Sequence, residues 1–434
     1  MRFKKMCATL AVMACGLMIG NGNVITWAEE VAQNTTVDYS DLGVRRPRIY
    51  NDSKEVYLDT GKVKGATWNA DKKELTLDNF KGKGHLWLDY YDAKNYDYEK
   101  NKDKYAAEQQ AHKSETITLV VKGDCTIDGY IDCRCNLKIT GGGSLSVLED
   151  SENSKRYEYE PAWYTISTGE FMDEEDKPSD CGDIEVSNVT IKAAIFYGKN
   201  IKFDNAKVNR KFRLATMTLA EGTDCFYAPF AVCETISVNN CKMNFRYEEP
   251  AKNQMNYSLY DQYCFNAQKI NITDSTIKFK GKEKAYMTYP SMPFGEIELS
   301  AIQVKNSKIG FRKGQCFLKD DYIYRFSKVN NGKISEASIH KVYNDGKKKY
   351  IIDKTIKAFG KKFKIVGIDS SSFDSCREMK TVIIKGKSIR RIGKNAFVRY
   401  PEVKKSITFK VPKAKKKLYT SFIKKAGTKK FVVK

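Results

Sequence analysis

Histidine is scarce in this sequence, and nothing groups the three that are present. Structural zinc sites need closely spaced Cys and His ligands, and the pair Cys133 and Cys135 is too tight for an ordinary zinc knuckle. The glycine run Gly141-Gly142-Gly143 lacks the following Lys and Ser or Thr of a phosphate-binding loop, so it predicts a tight turn. We therefore expect no metal, no cofactor and no catalytic residue.

Long apolar runs are absent after residue 28. Before it, a basic start (Met1 to Lys5) leads into an apolar run from Met6 to Ile19 and then into small and polar residues. This order predicts a secretory signal over residues 1–28, a linker over 29–48 and a mature chain without a transmembrane helix. A buried N-terminal helix and lipidation at Cys15 are the alternatives.

Basic and acidic residues are unevenly distributed along the chain. Residues 341–434 hold 29 Lys and Arg against six Asp and Glu, whereas residues 1–340 hold 47 of each. The net charge of +23 therefore belongs to the C-terminal end, which predicts an anionic partner for that end. We expect cell-wall polyanions, with anionic lipid or extracellular nucleic acid as alternatives and without sequence-specific nucleic-acid binding. Because no Leu-Pro-x-Thr-Gly sorting signal is present, attachment is expected to be non-covalent.

Ten cysteines remain after the predicted signal. Most of them lie at apolar positions of strand-like runs, where a cysteine packs as a small apolar residue. An exported protein permits disulfides, but these positions favour free buried thiols.

A phrase of the form apolar-x-apolar-x-Asn/Asp-small-x-apolar recurs along the chain. Its clearest copies begin at Ile184, Ile201, Ile236, Ile270 and Ile302, so their starts lie 17, 35, 34 and 32 residues apart. Their central polar residues, expected to form bends and to align in a ladder, are Asn188, Asn205, Asn240, Asp274 and Asn306. Earlier copies begin at Leu75, Ile117 and Leu137.

Alternation of apolar and polar residues predicts half-buried strands, and a period near 17–20 residues predicts the rungs of a β-solenoid. Since the longer gaps are near twice the shortest, Met217-x-Leu219 is expected to be a further rung strand in one of them. The predicted fold is mostly β: a right-handed parallel β-solenoid over residues 49–321, with a β-sandwich as the alternative.

Three polar segments, 89–115, 149–162 and 246–263, interrupt the rungs and are expected to project as loops or short helices from one face. The first contains an aromatic and acidic group that suits a sugar ligand, because aromatic rings stack on sugar faces and carboxylates accept hydroxyl hydrogen bonds. The alternative is that the rings pack against the body of the protein and hold the loop in place. The predicted glycan-binding residues are Trp87, Asp89, Tyr90, Tyr91, Asp92 and Tyr96.

A second period of 24 residues appears near the C-terminus. Ile365, Ile368 and Phe373 recur as Ile389, Ile392 and Phe397, and Met379 and Ile383 are matched by Val403 and Ile407. A small residue precedes each Phe (Ser372 and Ala396), which lets the turn close. This is the period of a leucine-rich repeat.

The last residues predict a basic capping helix. Leu418, Phe422 and Ile423 fall on one helical face, Gly427 suits the residue after the helix, and Val432-Val433 predicts a last strand. A polar cap is what a repeat array needs at its end. The same lysines are the predicted polyanion-binding residues: Lys413, Lys415, Lys416, Lys417, Lys424, Lys425, Lys429 and Lys430.

The segments Ile368 to Phe373 and Ile392-Gly393-Lys394-Asn395-Ala396-Phe397, with the ending from Ile407 to Gly427, resemble the BspA-like leucine-rich repeat proteins of bacteria. The resemblance covers about the last 90 residues. Asp369-Ser370-Ser371-Ser372 departs from the usual Ile-Gly-x-x-Ala pattern of the family. The resemblance implies a leucine-rich-repeat solenoid over residues 322–434 and a surface protein linked to adhesion, without catalytic residues.

A second resemblance covers roughly residues 50–150. Trp68 to Asn79, Ile117 to Asp124 and Ile139 to Leu145 are similar to a carbohydrate-binding module of Gram-positive surface proteins. The resemblance implies glycan binding.

These observations predict a secreted or cell-surface binding protein, an adhesin or glycan binder, that acts as a monomer on glycans or host-surface proteins. A polysaccharide-cleaving β-helix enzyme is one alternative, for which Asp320-Asp321 is the only adjacent Asp pair in the predicted solenoid. A non-catalytic protein-interaction scaffold is the other.

Overall fold

The computed structural model describes residues 47–51, 54–88, 112–148, 164–169, 178–212, 215–219, 222–226, 230–247, 258–259, 264–281, 292–330, 333–399 and 406–434. The predicted signal, residues 1–28, lies outside these ranges. The described chain is mostly β, with parallel sheets and one C-terminal α-helix, as predicted. No helix among the described residues is long and apolar enough to cross a membrane.

The strands of the N-terminal part are, in chain order, β1 (Arg48–Asn51), β2 (Lys54–Tyr57), β3 (Ala66–Asn69), β4 (Glu74–Asp78), β5 (Lys81–Lys83), β6 (His85–Trp87), β7 (Thr116–Lys122), β8 (Asp124–Asp128), β9 (Ile131–Asp132), β10 (Asn136–Gly141), β11 (Ser144–Leu148), β12 (Ile166–Ser167), β13 (Ile184–Ser187), β14 (Thr190–Ala193), β15 (Phe196–Tyr197), β16 (Asn200–Asp204), β17 (Lys207–Phe212), β18 (Ala215–Leu219), β19 (Gly222–Phe226), β20 (Ala231–Asn239), β21 (Lys242–Tyr247), β22 (Ser258–Leu259), β23 (Phe265–Thr273), β24 (Thr276–Lys280), β25 (Ile302–Lys305) and β26 (Lys308–Gly310).

The C-terminal part contains β27 (Cys316–Lys319), β28 (Tyr322–Asn330), β29 (Lys333–Val342), β30 (Lys349–Ile352), β31 (Thr355–Ala358), β32 (Lys361–Ile368), β33 (Thr381–Ile384), β34 (Arg391–Ile392), β35 (Ile407–Lys410), the helix α1 (Lys416–Lys425) and β36 (Phe431–Val433). Short 3-10 turns lie at Leu58–Thr60, Pro178–Asp180, Leu299–Ala301 and Lys413–Lys415.

Each repeat of the N-terminal part, here called a rung, places strands in up to three rows. The first row runs from β4 through β7, β10, β13, β16 and β20 to β23 and β25. The second row is the eight-stranded sheet β5-β8-β11-β14-β17-β21-β24-β26, and the third is β6-β9-β12-β15-β20. Strand β20 bends through a corner, since its start pairs with β15 and its end with β16. All pairs of successive strands within these rows are parallel, so each rung stacks on the one before it.

The recurring phrase sets this register. Ile184 pairs with Ile201, Ile201 with Ile236, Ile236 with Ile270, and Ile270 with Ile302. The inward residues of each strand are buried, and the outward ones alternate with them. The predicted alignment of the five copies is confirmed.

The central Asn or Asp of each copy forms the bend between first and second rows. All five residues have left-handed backbones, with φ between 48° and 54°, a conformation that Asn and Asp tolerate best among non-glycine residues. Asn205 Nδ2 donates to Asn188 Oδ1 at 2.6 Å, and Asn240 Nδ2 donates to Asn205 Oδ1 at 3.2 Å. The predicted ladder is present over these three rungs.

The interpretation of the long gaps is wrong. Because Ile201 pairs directly with Ile236, the 35 residues between them make one rung rather than two. Met217-x-Leu219 lies in β18, which pairs antiparallel with β19 in a separate three-stranded sheet that also includes β22. The additional residues form an insertion beside the stack.

The segments between successive rungs follow strands of two different rows. The segments 149–163, 213–229, 248–263 and 282–291 follow second-row strands, at the corner that leads towards the third row. Segment 89–111 follows the third-row strand β6 and precedes the first-row strand β7. The three polar segments lie largely outside the described residues, so their expected projection from one face stays a prediction.

The C-terminal part begins with the antiparallel pairs β27–β28 and β28–β29, and its last repeats then stack in parallel. Ile368 pairs with Ile392, Phe373 and Phe397 have ring centroids 5.0 Å apart, and Ser372 and Ala396 are fully buried beside them. The 24-residue period is thus confirmed up to the Phe. The predicted match of Ile383 with Ile407 is wrong, because Ile383 pairs with Lys410 and is half-buried; the inward pair is Val382 with Phe409.

Two apolar cores run along the chain, one from Ile49 to Ile309 and one from Phe317 to Ile423. Phe311 touches both, since its ring lies 6.1 Å from Phe279 and 4.7 Å from Phe326. Aromatic contacts continue from Phe196 through this junction to Phe431. The domain limits at 48/49 and 321/322 stay a prediction.

Candidate functional site

Trp87 is the only predicted sugar-binding residue within the described chain. It ends β6, where it pairs with Asp132 of β9 on one side and with Arg48 of β1 on the other. Asp89, Tyr90, Tyr91, Asp92 and Tyr96 lie outside the described residues.

Two guanidinium groups contact the Trp87 ring. The Cζ atom of Arg48 lies 5.5 Å from the ring centroid and that of Arg134 lies 5.7 Å from it. The indole is half-buried, and Arg48 is buried as well. Cation–π contacts of this kind hold an aromatic ring in place, so a sugar that stacked on Trp87 would have to share the ring with these two side chains. Arg134 Nε also lies 3.8 Å from Asp132 Oδ2, which adds a carboxylate to the cluster.

The predicted polyanion-binding lysines surround the C-terminal helix. Lys413 and Lys415 lie in the 3-10 turn, the next four lie in α1, and Lys429 and Lys430 precede β36. All are exposed except Lys415, which is half-buried. Lys424 and Lys425 in the last turn of α1 favour the helix, because cations there oppose the partial negative charge of the helix C-terminus.

Tyr419 anchors α1 to the second core, and the helical face expected to pack there is partly wrong. Leu418 is 40% exposed and Phe422 is half-buried, whereas Ile423 and Tyr419 are fully buried. The Tyr419 hydroxyl donates to the Gly386 carbonyl at 2.9 Å and accepts from the Ile389 amide at 3.2 Å. The predicted helix end and last strand are confirmed: Gly427 has φ 84° and follows the helix, and β36 pairs with β35.

Leu418 and Phe422 instead line a groove of about 440 Å³ between α1 and the sheet that contains β32. Val366 and Ile389 add to its apolar surface. The charged lining is Glu336, Lys364, Lys387, Arg390 and Lys415.

One carboxylate faces four cations in this groove. Glu336 accepts a hydrogen bond from the Arg390 guanidinium, so these two charges neutralise each other. Lys364, Lys387 and Lys415 form no ion pair with any residue that the structure describes. The groove therefore combines three available ammonium groups with an apolar floor, an arrangement suited to an anionic ligand with a hydrocarbon backbone.

Sequence reasoning identified Lys415 in this groove but missed Lys364 and Lys387. Lys364 lies on β32, directly opposite Glu336 of β29, and Lys387 lies in the turn before β34. The 24-residue repeat gave no shared signal for them, since Lys364 corresponds to Ser388 and Lys387 to Phe363.

A buried carboxylate directly follows β32, the strand that carries Lys364. Asp369 has a side chain only 3% exposed. It accepts hydrogen bonds from Arg325 Nε at 2.8 Å, from Arg391 Nη2 at 2.7 Å and from His340 Nδ1 at 3.3 Å. Burial opposes ionisation of this carboxyl, but the His340 hydrogen bond and the two guanidinium groups outweigh it and lower its pKa.

Asp369 occupies the sequence position where the next repeat has Gly393, whose added Cβ would lie 2.3 Å from the Ser370 amide nitrogen. The departure from the Ile-Gly-x-x-Ala pattern thus has a physical role. The carboxylate holds Arg325 and Arg391 in fixed positions on the outer face of the sheet.

The described cysteines do not offer reactive thiols. Nine of them are buried, as expected for cysteines that pack as small apolar residues. Burial raises the pKa of Cys233 to about 12 and those of Cys241 and Cys376 to about 11. Since the thiolate is the reactive form, these groups are inert near neutral pH.

The acidic pair considered for catalysis is engaged in ion pairs. Asp321 contacts the Lys347 ammonium, and Asp320 Oδ2 lies 3.7 Å from Lys319 Nζ. Within the described ranges, no group of three or more His, Cys, Asp or Glu side chains could hold a metal ion.

Comparison of the chain with family models, with curated proteins and with solved structures finds no match.

Proposed function

We propose that this chain is an exported, non-catalytic binding protein of the cell surface, and that its C-terminal part holds anionic polymers without a covalent link. The groove beside α1 is the observation that carries the proposal. Lys364, Lys387 and Lys415 converge there with no ion-paired partner among the described residues, around an apolar floor.

The surrounding charge supports the same conclusion. Residues 341–434 carry 29 basic against six acidic residues, so the groove lies within a strongly positive field. Such a field concentrates anionic polymers near the protein and speeds their association. Lys413, Lys416, Lys417, Lys424 and Lys425 extend the positive surface along α1.

We further propose the finer architecture that this function would use. The three strand rows form a right-handed β-solenoid, and the C-terminal part is a BspA-like leucine-rich-repeat array closed by α1. The parallel pairing of Ile368 with Ile392 and the stacking of Phe373 on Phe397 support the second assignment. A crystal structure with a left-handed strand path would refute the first.

Binding of the full chain to immobilised polyglycerol phosphate tests the proposed function. The groove variant carries Lys364→Gln, Lys387→Gln and Lys415→Gln. The control variant carries Lys349→Gln, Lys354→Gln and Lys357→Gln, which remove the same charge from exposed positions of the same part. We expect the groove variant to bind about tenfold more weakly and the control to change about twofold or less, because exposed ion pairs each contribute about 0.2–1 kcal/mol.

Salt provides the second criterion. Screening shortens the reach of a charge from about 10 Å at 0.1 M to about 3 Å at 1 M ionic strength, so wild-type binding should fall steeply across this range. Binding that is insensitive to salt, or equal losses in the two variants, would show that the groove does not hold the polymer.

A further inference from the structure

Residues 1–340 hold equal numbers of basic and acidic residues, yet the strands among them separate charges by face. On the outer face of the first row, Lys202 lies 4.0 Å from both Glu185 and Asp204, and Lys138 lies 3.9 Å from Glu185. Hydroxyl and amide side chains surround them, among them Thr118, Ser237 and Asn271. This face is polar and electrically balanced.

The outer face of the second row differs over its last four strands. The sequences of β17, β21, β24 and β26 are KVNRKF, KMNFRY, TIKFK and KIG, and they contain no carboxylate. Their buried residues, such as Val208, Met243, Ile277 and Ile309, point inward. Exposed cations alternate with them, and six of these are here called the cationic lattice: Lys207, Lys242, Arg246, Lys278, Lys280 and Lys308. Lys211 of β17 is exposed as well but is not counted in the lattice.

Backbone pairing arranges these cations in rows. Lys207 pairs with Lys242, Lys242 with Thr276, and Thr276 with Lys308. Two residues further along the strands, Asn209 pairs with Asn244 and Asn244 with Lys278; beyond them, Arg246 pairs with Lys280. Adjacent parallel strands lie about 4.8 Å apart and alternate residues about 6.7 Å apart, so the lattice is a regular two-dimensional array.

None of the six lattice cations forms an ion pair with another described residue. The contrast lies in the same sheet, where Lys192 Nζ is 2.7 Å from Asp124 Oδ1. Like charges opposite each other on neighbouring strands are destabilising. The lattice therefore holds unneutralised repulsion that a bound polyanion would relieve.

We propose that the cationic lattice binds a linear acidic polysaccharide, with its carboxylate or sulfate groups spaced one or two rungs apart. This second site is separate from the C-terminal groove and does not depend on it. The polar residues among the cations suit sugar hydroxyls. Asn244 Nδ2 donates to Asn209 Oδ1 at 3.0 Å, and Thr276 lies within the Lys207 row.

A polysaccharide fits the lattice better than single-stranded nucleic acid. Sequence-independent binding of single strands uses exposed aromatic rings on which bases stack. Among the outward positions of β17, β21, β24 and β26, the described residues offer no such ring. A sheet face with regular cations and hydrogen-bonding groups instead matches a polymer whose charges and hydroxyls repeat along its length.

The test uses the full chain and immobilised polygalacturonate, with neutral dextran as the uncharged polymer. The lattice variant carries Lys207→Gln, Lys242→Gln, Lys278→Gln and Lys308→Gln. The control variant carries Lys138→Gln, Lys202→Gln, Lys269→Gln and Lys305→Gln, which remove the same charge from the outer face of the first row. All eight positions lie on outward strand faces, and circular dichroism confirms that both variants fold.

We expect the lattice variant to bind polygalacturonate about tenfold or more weakly at low salt, with a shallower dependence on salt, and the control to change about twofold or less. The difference in affinity between the lattice and control variants should persist when each set of substitutions is added to the groove variant. The lattice proposal can therefore stand even if the groove proposal fails. Equal losses in the two variants would overturn the lattice, because net charge alone would then explain binding. Tighter binding of poly(dT) than of polygalacturonate, lost in the lattice variant, would overturn the assignment of the ligand as a polysaccharide.

Discussion

Replacing Asp369 by Asn should destabilise the C-terminal part more than any exposed charge change. The substitution keeps the size of the side chain and one acceptor oxygen but removes the negative charge that holds Arg325 and Arg391. Removing one partner of a buried ion pair costs about 3–5 kcal/mol. The two Arg side chains are 35% and 54% exposed and can be hydrated, so we expect a smaller loss of about 2–3 kcal/mol.

Hydrogen exchange followed by mass spectrometry measures this loss locally, which suits a repeat protein that need not unfold in one step. Peptides covering β29 and β32 should exchange about 27- to 140-fold faster in the variant, since each 1.4 kcal/mol is a factor of ten. The control is Asp353→Asn, because Asp353 pairs with Lys385 at 2.9 Å but is 58% exposed. This control substitution should lower the free energy of unfolding by less than about 1 kcal/mol. Equal protection in the two variants would refute the role given to Asp369.

The pH dependence gives an independent check. The pKa of Asp369 is lowered in the folded protein, so its contribution is fully present above the ordinary Asp pKa of about 3.9 and is lost as pH falls through the lowered value. In urea unfolding, the gap between wild type and Asp369→Asn should therefore be constant from pH 7 to about 5 and close in stronger acid. A gap that persisted unchanged at pH 2 would mean that packing, rather than charge, causes it.

Two further substitutions test the packing. Tyr419→Phe removes a hydroxyl that donates to Gly386 and accepts from Ile389, which leaves a buried carbonyl and amide unsatisfied. Urea unfolding should show that the free energy of unfolding falls by about 1–3 kcal/mol. Tyr343→Phe is the control, because Tyr343 is exposed and its replacement should change little. Asn240→Ala should lower the free energy of unfolding by about 1–2 kcal/mol, because a left-handed backbone disfavours Ala, whereas Asn240→Gly should lower it less. If thermal unfolding showed the Gly variant to be the less stable of the two, the account of the bend would be contradicted.

The rungs could be predicted because two local signals agree in them. Alternation determines which residues point inward, and an Asn or Asp tolerates the left-handed bend that follows. Both signals are present at Asn188, Asn205 and Asn240, and the structure places all three as expected.

The number of residues in a rung could not be predicted in the same way. Met217-x-Leu219 has the alternation of a rung strand, but it pairs with β19 in a hairpin. Alternation reports that one face of a strand differs from the other and does not report which strand lies beside it. An insertion of suitable length therefore looks like another repeat.

Charge shows the same limit. The sequence identifies which lysines of β17 and β21 point outward, but only the register shows that Lys207 and Lys242 are neighbours and that Glu185 lies in another row. The equal numbers of basic and acidic residues over positions 1–340 conceal this difference between the two faces. On α1, apolar character predicted that Leu418 is buried. Tyr419 is buried instead, and its hydroxyl hydrogen-bonds two backbone groups.

The aromatic contacts between the two cores have a mechanical consequence. Domains joined by small polar interfaces move relative to each other by default, but here Phe311 packs on Phe279, Phe326 and Phe359 without a gap. The junction should then act as a stiff joint instead of a hinge. A polymer bound at the groove beside α1 would then meet the cationic lattice at a constant distance and angle. Two weak binding sites on one polymer chain would combine as avidity.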